Sequence, residues 1–394
     1  MTSDEQFMRR ALELARAGIG LVSPNPAVGA VVVEPGGTEV GVGTHTYDGI
    51  KHAEVIALEK AGARARGGTL YLNLEPCSHQ GRTGPCADAV IGAGITRVVC
   101  SMQDPNPQVS GQGFARLRSR GIHVDVGLFE SEARRLNEGF ARFTRHHTPL
   151  VTLKAAMTLD GKIAPPPANA SLADAVTNPS TTRIATEIAA GGSTGGWITG
   201  EIARQYVHVL RHENDAIMAG VGTVIADDPL LTDRSGRARR RPLLRVILDS
   251  WLRMPETSRL VKSAQGDVLV LYSQADDGRV RELEKLGLRV ERVAGHLDGR
   301  PHLPDVMRHL AKYDITSVLI EGGATVNWNA LSSSVVDKLF LFYAPKILGE
   351  GAVPFVATPA PGHTHVALAA RKLRLHQFGE DFAVEGYLRD VYSE

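Results

Sequence analysis

Between His52 and Cys86 the chain places one imidazole, one carboxylate and two thiols close together: H-A-E at 52–54, P-C at 76–77 and P-C at 85–86. One imidazole and two thiolates can hold a zinc ion and leave a position open for water. That is a catalytic arrangement, since structural sites close all four positions with protein groups. Helix N-termini favour the thiolate form of cysteine, and Cys86 follows Pro85, which is tolerated in a first turn. His52 also opens a predicted helix, so Glu54 two residues on still faces the same point. The plain alternative is an ordinary helix start with two cysteines buried as small hydrophobes. Two P-C pairs at compatible places favour the metal. Cys100 falls in a predicted strand without a metal partner at sensible spacing and is read as core.

A length of 394 residues exceeds one ordinary domain and implies two. With 43% hydrophobic and 22% charged residues the composition is that of a soluble globular protein. A formal net charge of +1 gives no general attraction to nucleic acid or anionic membrane. No apolar run approaches the roughly 20 residues of a spanning helix. The N-terminus lacks an apolar signal core, and three cysteines argue against a disulfide framework. The cytoplasm is the expected compartment.

Met8, Ala11, Leu12 and Ala15 mark one face of a helix ending near Gly18. In the S-P-N-P segment that follows, proline on each side stiffens Asn25. The segment is either a turn or a device that fixes a side chain toward a pocket. Strand Val28–Val33 leads to a hairpin at Pro35-Gly36-Gly37, returning through Val40–Gly43 to His45. A helix from His52 carries Val55, Ile56 and Leu58 inward. Strand Thr69–Leu74, a helix from Pro85, strand Val98–Met102, helix Phe114–Arg120 and strand His123–Val126 follow. This alternation predicts an α/β layered sheet, with a boundary at His146–Pro149. The second part opens with strand Leu150–Ala156. Thr199 caps a predicted helix with Ile202, Tyr206, Val209 and Leu210 on its face. Strands Ala216–Gly220, Leu244–Leu248, Val268–Tyr272, Val290–Val293, Val318–Ile320 and Lys338–Tyr343 follow. Helices Val280–Leu286 and Asp305–Tyr313 separate several of them. Arg374–Gln377 and Ala383–Tyr387 read as antiparallel edge strands. Residues 165–196 carry a triple proline and Gly pairs at 191–192 and 195–196. They read as a flexible excursion with a short helix at Thr181–Ala189, and as a flap over the second site.

Zinc deaminases carry H-x-E followed by P-C-x-x-C, and their Glu moves protons without binding the metal. Here the first half matches, whereas eight residues separate Cys77 from Cys86. In this reading the metal acidifies a water, and Glu54 passes its proton to ammonia leaving an amidine-like ring carbon.

Several motifs resemble the bifunctional deaminase–reductases of riboflavin biosynthesis, in which a long stretch between the cysteines is characteristic. These are N-P-A-V-G at 25–29, H-A-E at 52–54, L-E-P-C-S-H-Q-G-R-T-G-P-C at 74–86 and Q-D-P-N-P at 103–107. K-A-A-M-T-L-D-G-K-I at 154–163, W-I-T at 197–199, A-D-D-P-L-L-T at 226–232 and I-E-G-G at 320–323 are similar to the reductase half. The resemblance spans nearly the whole chain. It implies an α/β protein with a cytidine-deaminase-like three-layer domain over 1–147 and a dihydrofolate-reductase-like α/β domain over 148–394. The first would hydrolyse the 2-amino group of a diaminopyrimidinone ribosyl phosphate. The second would reduce the ribosyl group to ribityl with NADPH.

Residue by residue, the resemblance makes His52, Cys77 and Cys86 ligands of one zinc per deaminase domain, and Glu54 the proton shuttle. Asn25, His45, His79, Arg82, Asp104 and Asn106 become base, ribose or phosphate contacts; guanidinium at Arg82 suits a phosphate. E-G-G alone is a plain strand-to-helix turn and not the G-x-G-x-x-G of dinucleotide folds. The resemblance has Gly323, Ala324, Thr325, Val326, Asn327, Trp328 and Asn329 line the cofactor, with Ala156, Trp197, Thr223, Asp227 and Ser250. The same resemblance would put Arg211, Leu231, Arg234 and Glu321 around the substrate, the arginines as phosphate clamps. Ser193 and Gly195 are further candidates for substrate contact. Lys154 is the candidate for aiding proton transfer at ring opening, against a surface salt-bridge lysine; the cofactor carries the hydride. The family tends to associate, so a homo-oligomer is expected.

Arg237, Arg239, Arg240 and Arg241 form the one basic run and read as a solvated loop. A nucleic-acid base deaminase would need a basic surface and stacking aromatics, and aromatics are 5% of the chain. An inert zinc scaffold would need a fourth ligand, and none stands at close spacing.

Overall fold

The computed structural model describes residues 2–81, 84–166, 197–296, 298–356 and 367–393. Arg82, the expected helix Thr181–Ala189, Ser193, Gly195 and nearly all of the expected flap lie outside the described residues. The chain forms two compact units. One is Met1–Thr148 with Arg237–Pro242 and Asp314–Thr316; the other comprises Pro149–Gly236, Leu243–Tyr313 and Ser317–Glu394.

The first unit runs α1 (Ser3–Ala17), β1 (Gly29–Val33), β2 (Glu39–Thr44), α2 (Ala53–Ala61), β3 (Thr69–Leu72), α3 (Cys86–Gly92) and β4 (Arg97–Cys100). It continues through α4 (Gln112–Arg118), β5 (His123–Val126), α5 (Glu130–Leu136) and α6 (Glu138–His146). Thr2 and Glu5 exchange hydrogen bonds as a capping box that starts α1, and Met8, Ala11 and Ala15 are fully buried. The sheet order is β2-β1-β3-β4-β5. Strand β1 is antiparallel to β2 and β3, and β3, β4 and β5 are mutually parallel.

Strand β2 carries Gly41 and Gly43 where α2 crosses it. A Cβ would stand 2.1 Å from the Ala57 carbonyl oxygen at Gly41, and 2.0 Å from that of Ala53 at Gly43. The helix therefore lies directly on the strand, and its buried face is Ala53, Glu54, Ala57, Leu58 and Ala61. This corrects the expected inward face: Val55 and Ile56 are only half-buried, because so close an approach leaves room for alanine and not for branched side chains. It also puts Glu54 on the packed face. Gly43→Ala should cost about 1–3 kcal/mol through overpacking and displace α2, read as a lower Tm and weaker zinc retention. An unchanged Tm would show that the helix has slack.

The second unit begins with β6 (Leu150–Thr158), β7 (Lys162–Ala164), α7 (Glu201–His212), β8 (Ala216–Gly220), α8 (Val221–Asp227), β9 (Leu244–Leu248) and α9 (Arg259–Lys262). There follow β10 (Val268–Tyr272), α10 (Asp277–Lys285), β11 (Arg289–Arg292), α11 (Leu303–Ala311), β12 (Ser317–Ile320) and α12 (Ala324–Ser332). It closes with β13 (Lys338–Ala344), β14 (Val353–Pro354), β15 (Arg371–Phe378) and β16 (Asp381–Tyr387). The main sheet has the order β11-β10-β9-β8-β12-β6-β13-β16-β15. It is parallel from β11 to β13 and antiparallel through β16 and β15. Its central strands β8, β9, β10 and β12 are buried along nearly their whole length, as strands covered on both faces must be.

Two expectations change here. Helix α7 starts after Gly200 with no side-chain cap, and it buries Ala203, Val207 and Leu210 while Ile202 is 57% exposed. Tyr206 sets that rotation by packing on Phe340, Phe342 and Phe378. The basic run is not a fully solvated loop. Arg240 lies 4.2 Å over the Tyr47 ring and donates to the Ser23 carbonyl, and Arg241 donates to the Asp314 carbonyl, all within the first unit.

Candidate functional site

In the first unit, His52 ends the loop before α2, Cys77 lies on the loop after β3, and Cys86 is the first residue of α3. His52 Nδ1 is 3.1 Å from Cys86 Sγ and 3.5 Å from Cys77 Sγ, and the three donor atoms lie within 4.8 Å of one another. Tetrahedral zinc, with Zn–S about 2.3 Å and Zn–N about 2.0 Å, separates its ligand atoms by roughly 3.3–3.8 Å. The two imidazole–thiol separations, 3.1 and 3.5 Å, lie close to that spacing, and among the described residues the group has three members and not four.

The start of α3 favours negative sulfur. The Cys86 N–H donates to Cys77 Sγ at 3.3 Å and the Ala87 N–H to the Cys77 carbonyl at 3.1 Å. The Cys77 thiol is pulled down, first by its hydrogen bond with the Cys86 thiol and then by His52. The Cys86 thiol is pushed up by the same bond and by burial. A dication among the three groups would let both thiols ionise. Glu54 is 3% exposed, and burial pushes its carboxyl up to about 7. Cys100 is fully buried and its thiol donates to the Met102 carbonyl.

His45 Nδ1 lies 3.0 Å from the Lys51 carbonyl, which can only accept, so Nδ1 carries the proton. Nε2 therefore accepts from Asn25 Nδ2 at 3.0 Å, which fixes the sense of the Asn25 amide. The His45 ring meets His52 edge-on, with centroids 5.3 Å apart. Two asparagines that the sequence reading passed over hold the segment after Asn25. Asn73 Oδ1 accepts from the Gly29 N–H, and Asn137 Oδ1 from the Ala27 N–H; both side chains are buried. The available signal was a polar residue within the apolar run 70–74.

His79 is exposed. Burial pushes the Asp104 carboxyl up to about 6, with His79 acting in the opposite sense. Asp104 also accepts the Asn106 N–H at 2.8 Å. The structure thus gathers Asn25, His45, His52, Glu54, Cys77 and Cys86, with His79, Asp104 and Asn106 on flanking loops.

In the second unit, Lys154 of β6, Arg211 of α7 and Glu321 just after β12 converge. Arg211 Nε and Nη2 donate to Glu321 Oε1 and Oε2 at 2.7 and 3.1 Å, and Lys154 Nζ to Oε2 at 3.3 Å. Burial pushes the Glu321 carboxyl up, but the two cations and their hydrogen bonds outweigh it and hold it at about 2. Arg211 Nη1 also donates to the Thr232 carbonyl. Leu231 is buried with φ 53, and Arg234 is exposed. Two further side chains fasten this loop. His212 Nδ1 lies 3.0 Å from Asp233 Oδ2, and the buried Arg245 donates to Asp267, Ser263 and the Leu230 carbonyl. An arginine inside the apolar run 243–248 was the signal for the second of them.

Ala156, Thr223, Ser250 and Gly323 lie near the carboxyl ends of parallel strands β6, β8, β9 and β12 or just beyond them, where open α/β sheets bind ligands. A Cβ on Gly322 would come within 2.7 Å of the Val326 side chain, and one on Gly220 within 2.8 Å. Two backbone turns therefore meet over Val326, and α12 starts at Gly323 with no side-chain cap. Its first N–H groups are of the kind that accept a phosphate. Trp197 is 56% exposed under the Arg204 guanidinium, and Asp227 ends α8 at the surface. Ala324, Val326, Trp328 and Asn329 are half-buried and Thr325 is exposed. Asn327 is fully buried and donates to the Phe355 carbonyl.

Residues 149–384 match the family model of the RibD C-terminal domain, and residues 1–102 that of the cytidine and deoxycytidylate deaminase zinc-binding region. The chain is similar to the riboflavin biosynthesis protein RibD of Synechocystis sp., at 40% identity over 393 residues covering 98% of this chain and 97% of the relative. Among solved structures it is similar to Acinetobacter baumannii RibD, with 34% identity, a TM-score of 0.78 and 98% of both chains covered. It is also similar to a diaminohydroxyphosphoribosylaminopyrimidine deaminase/5-amino-6-(5-phosphoribosylamino)uracil reductase from Thermotoga maritima. There the identity is 33% and the TM-score 0.75, over 98% of both chains.

Proposed function

Because the chain belongs to the RibD family, we propose a division of the family's two reactions among its residues. The protein is a bifunctional enzyme of riboflavin biosynthesis, with a zinc-binding deaminase domain and a dihydrofolate-reductase-like reductase domain. We take 1–147 as the deaminase and 148–394 as the reductase.

In the deaminase, His52, Cys77 and Cys86 would hold zinc, which would supply Lewis acidity and acidify the attacking water. Glu54 takes the proton of the attacking water and delivers it to the departing 2-amino group, so water enters and ammonia leaves. Asn25, its amide fixed by His45, orients the pyrimidine ring. His79, Arg82, Asp104 and Asn106 take the ribose and its phosphate.

In the reductase, NADPH supplies the hydride. Gly323, Ala324 and Thr325 would hold its pyrophosphate at the start of α12, with Ala156, Thr223 and Ser250 at the strand ends beside it. Lys154, its ammonium held by Glu321, places a proton near the ribosyl ring oxygen as C1 is reduced. Arg234 lies ready for the substrate phosphate, while Arg211 holds Glu321.

The observation that carries this reading is the His52–Cys77–Cys86 group with Glu54 buried beside it. Metal analysis of purified variants tests it. Cys77→Ser and Cys86→Ser should each lower bound zinc and deamination while leaving NADPH oxidation with the deaminated intermediate, and Cys100→Ser should do neither. Loss of zinc in the Cys100 variant alone would overturn the ligand set. NADH serving as well as NADPH would remove the cofactor assignment.

A further inference from the structure

Glu75 stands in the L-E-P-C motif two residues before Cys77, and its side chain is 5% exposed. Its carboxylate is surrounded by the backbone of one distant loop. Oε2 accepts the N–H groups of Asp104 at 3.0 Å and Gly111 at 2.9 Å. Oε1 accepts those of Gly113 at 2.8 Å and Phe114 at 3.3 Å. An ionised carboxylate offers about four lone-pair sites, so these donors saturate it. Such charge-assisted bonds are about twice as strong as neutral ones.

Gly113 and Phe114 lie in the first turn of α4, whose N–H groups have no partner within the helix. The N-cap residue, Gly111, supplies no side chain to them. Glu75 therefore caps α4 from 38 residues away. The approach is close: a Cβ on Gly113 would stand 2.0 Å from the Pro76 carbonyl oxygen. The Glu75 N–H also donates to the Met102 carbonyl at 3.0 Å, so both ends of the 103–114 loop are tied to one residue. The carboxylate binds Asp104 through its backbone, and Asp104 in turn accepts the Asn106 N–H.

We propose that Glu75 is a positioning residue of the deaminase, whose carboxylate wraps the 104–114 loop around itself and registers Asp104 and Asn106 against the metal-ligand turn at Cys77. The substrate meets Asp104 and Asn106; Glu75 acts through them. This rests on the reading of those two residues as substrate contacts.

The test uses the full-length zinc-loaded enzyme and the diaminopyrimidinone ribosyl phosphate. Glu75→Gln keeps the shape, but its single amide oxygen cannot accept four N–H groups and its NH2 faces two of them. The KM of deamination should rise about tenfold or more, the ratio expected for buried donors left without acceptors. The kcat should stay within a few-fold, which marks lost binding and not lost chemistry. Zinc per chain and reductase turnover should stay at wild-type values. Glu75→Asp, which keeps the charge, should recover part of the KM. Asp104→Asn and Asn106→Ala are measured in parallel. If those two raise the KM and Glu75→Gln does not, the positioning role is wrong and the contact assignment stands. If neither of them changes the KM, the contact assignment fails and the proposal with it. A Glu75→Gln enzyme that loses zinc, kcat and KM together, without rescue by Asp, would show a purely structural residue and overturn the proposal.

Discussion

Glu54→Gln should keep its zinc and lose deamination by at least about 10²–10⁴, the contribution of a positioned acid–base group. The change is isosteric and removes only the ability to carry a proton. Glu54 is not among the three side chains that could hold a metal ion, so the metal content should hold. A neutral amide is also less costly to bury than a carboxylate, so the α2 packing should survive. Reduction of the already deaminated intermediate should continue at the wild-type rate, since Lys154 and Glu321 belong to the second unit. Ammonia release, zinc per chain and NADPH oxidation, measured on one preparation, separate these effects. Near-normal ammonia release would remove Glu54 from the mechanism.

Glu321→Ala should be the most damaging single change in the second unit. Lys154 and Arg211 have side chains 12% exposed and Glu321 11%, so solvent can do little to replace the lost anion. Removing one partner of a buried ion pair costs about 3–5 kcal/mol, mostly because the cations are left uncompensated. For a unit of this size that lowers Tm on the order of 10 °C, and reductase turnover should go with it. The pH dependence has a definite sign. The folded Glu321 carboxyl is held at about 2, below its ordinary 4.5. Its contribution is therefore complete above about pH 4.5 and is lost as pH falls from there through 2. Thermal unfolding of wild type and Glu321→Gln across that range should show two curves converging toward acid. A constant gap, or a Tm loss of only a degree or two in Glu321→Ala, would contradict this account.

The His/Cys/Cys group was legible because its chemistry demands scarce residue types: His52, Glu54 and Cys86 stand at two helix starts and Cys77 on the loop before the second. The α2 face was not legible. Alanine gives little apolar signal, and what selects Ala53, Ala57 and Ala61 is the pair of glycines on β2. Residues 130–146 drew no helix from the sequence for a related reason: α5 buries only Ala133, and α6 only Glu138 and Ala141. The strands expected at 69–74 and 98–102 end two residues early, at Leu72 and Cys100. The apolar run continues past them because the chain beyond each strand is still buried as it enters the site. Lys154 and Glu321 meet across 167 residues, and Glu75 meets its loop across 29 to 39. Only the fold brings such pairs together, so no local pattern announces them.

The central claim is that one chain carries two consecutive reactions at two separate sites. A single time course tests it: zinc-loaded protein with the diaminopyrimidinone ribosyl phosphate, with and without NADPH, following ammonia and cofactor absorbance together. Ammonia should appear in both arms. With NADPH, oxidation should follow ammonia after a lag and approach one NADPH per ammonia. NADPH oxidation that precedes ammonia, or that proceeds without it, would contradict the account.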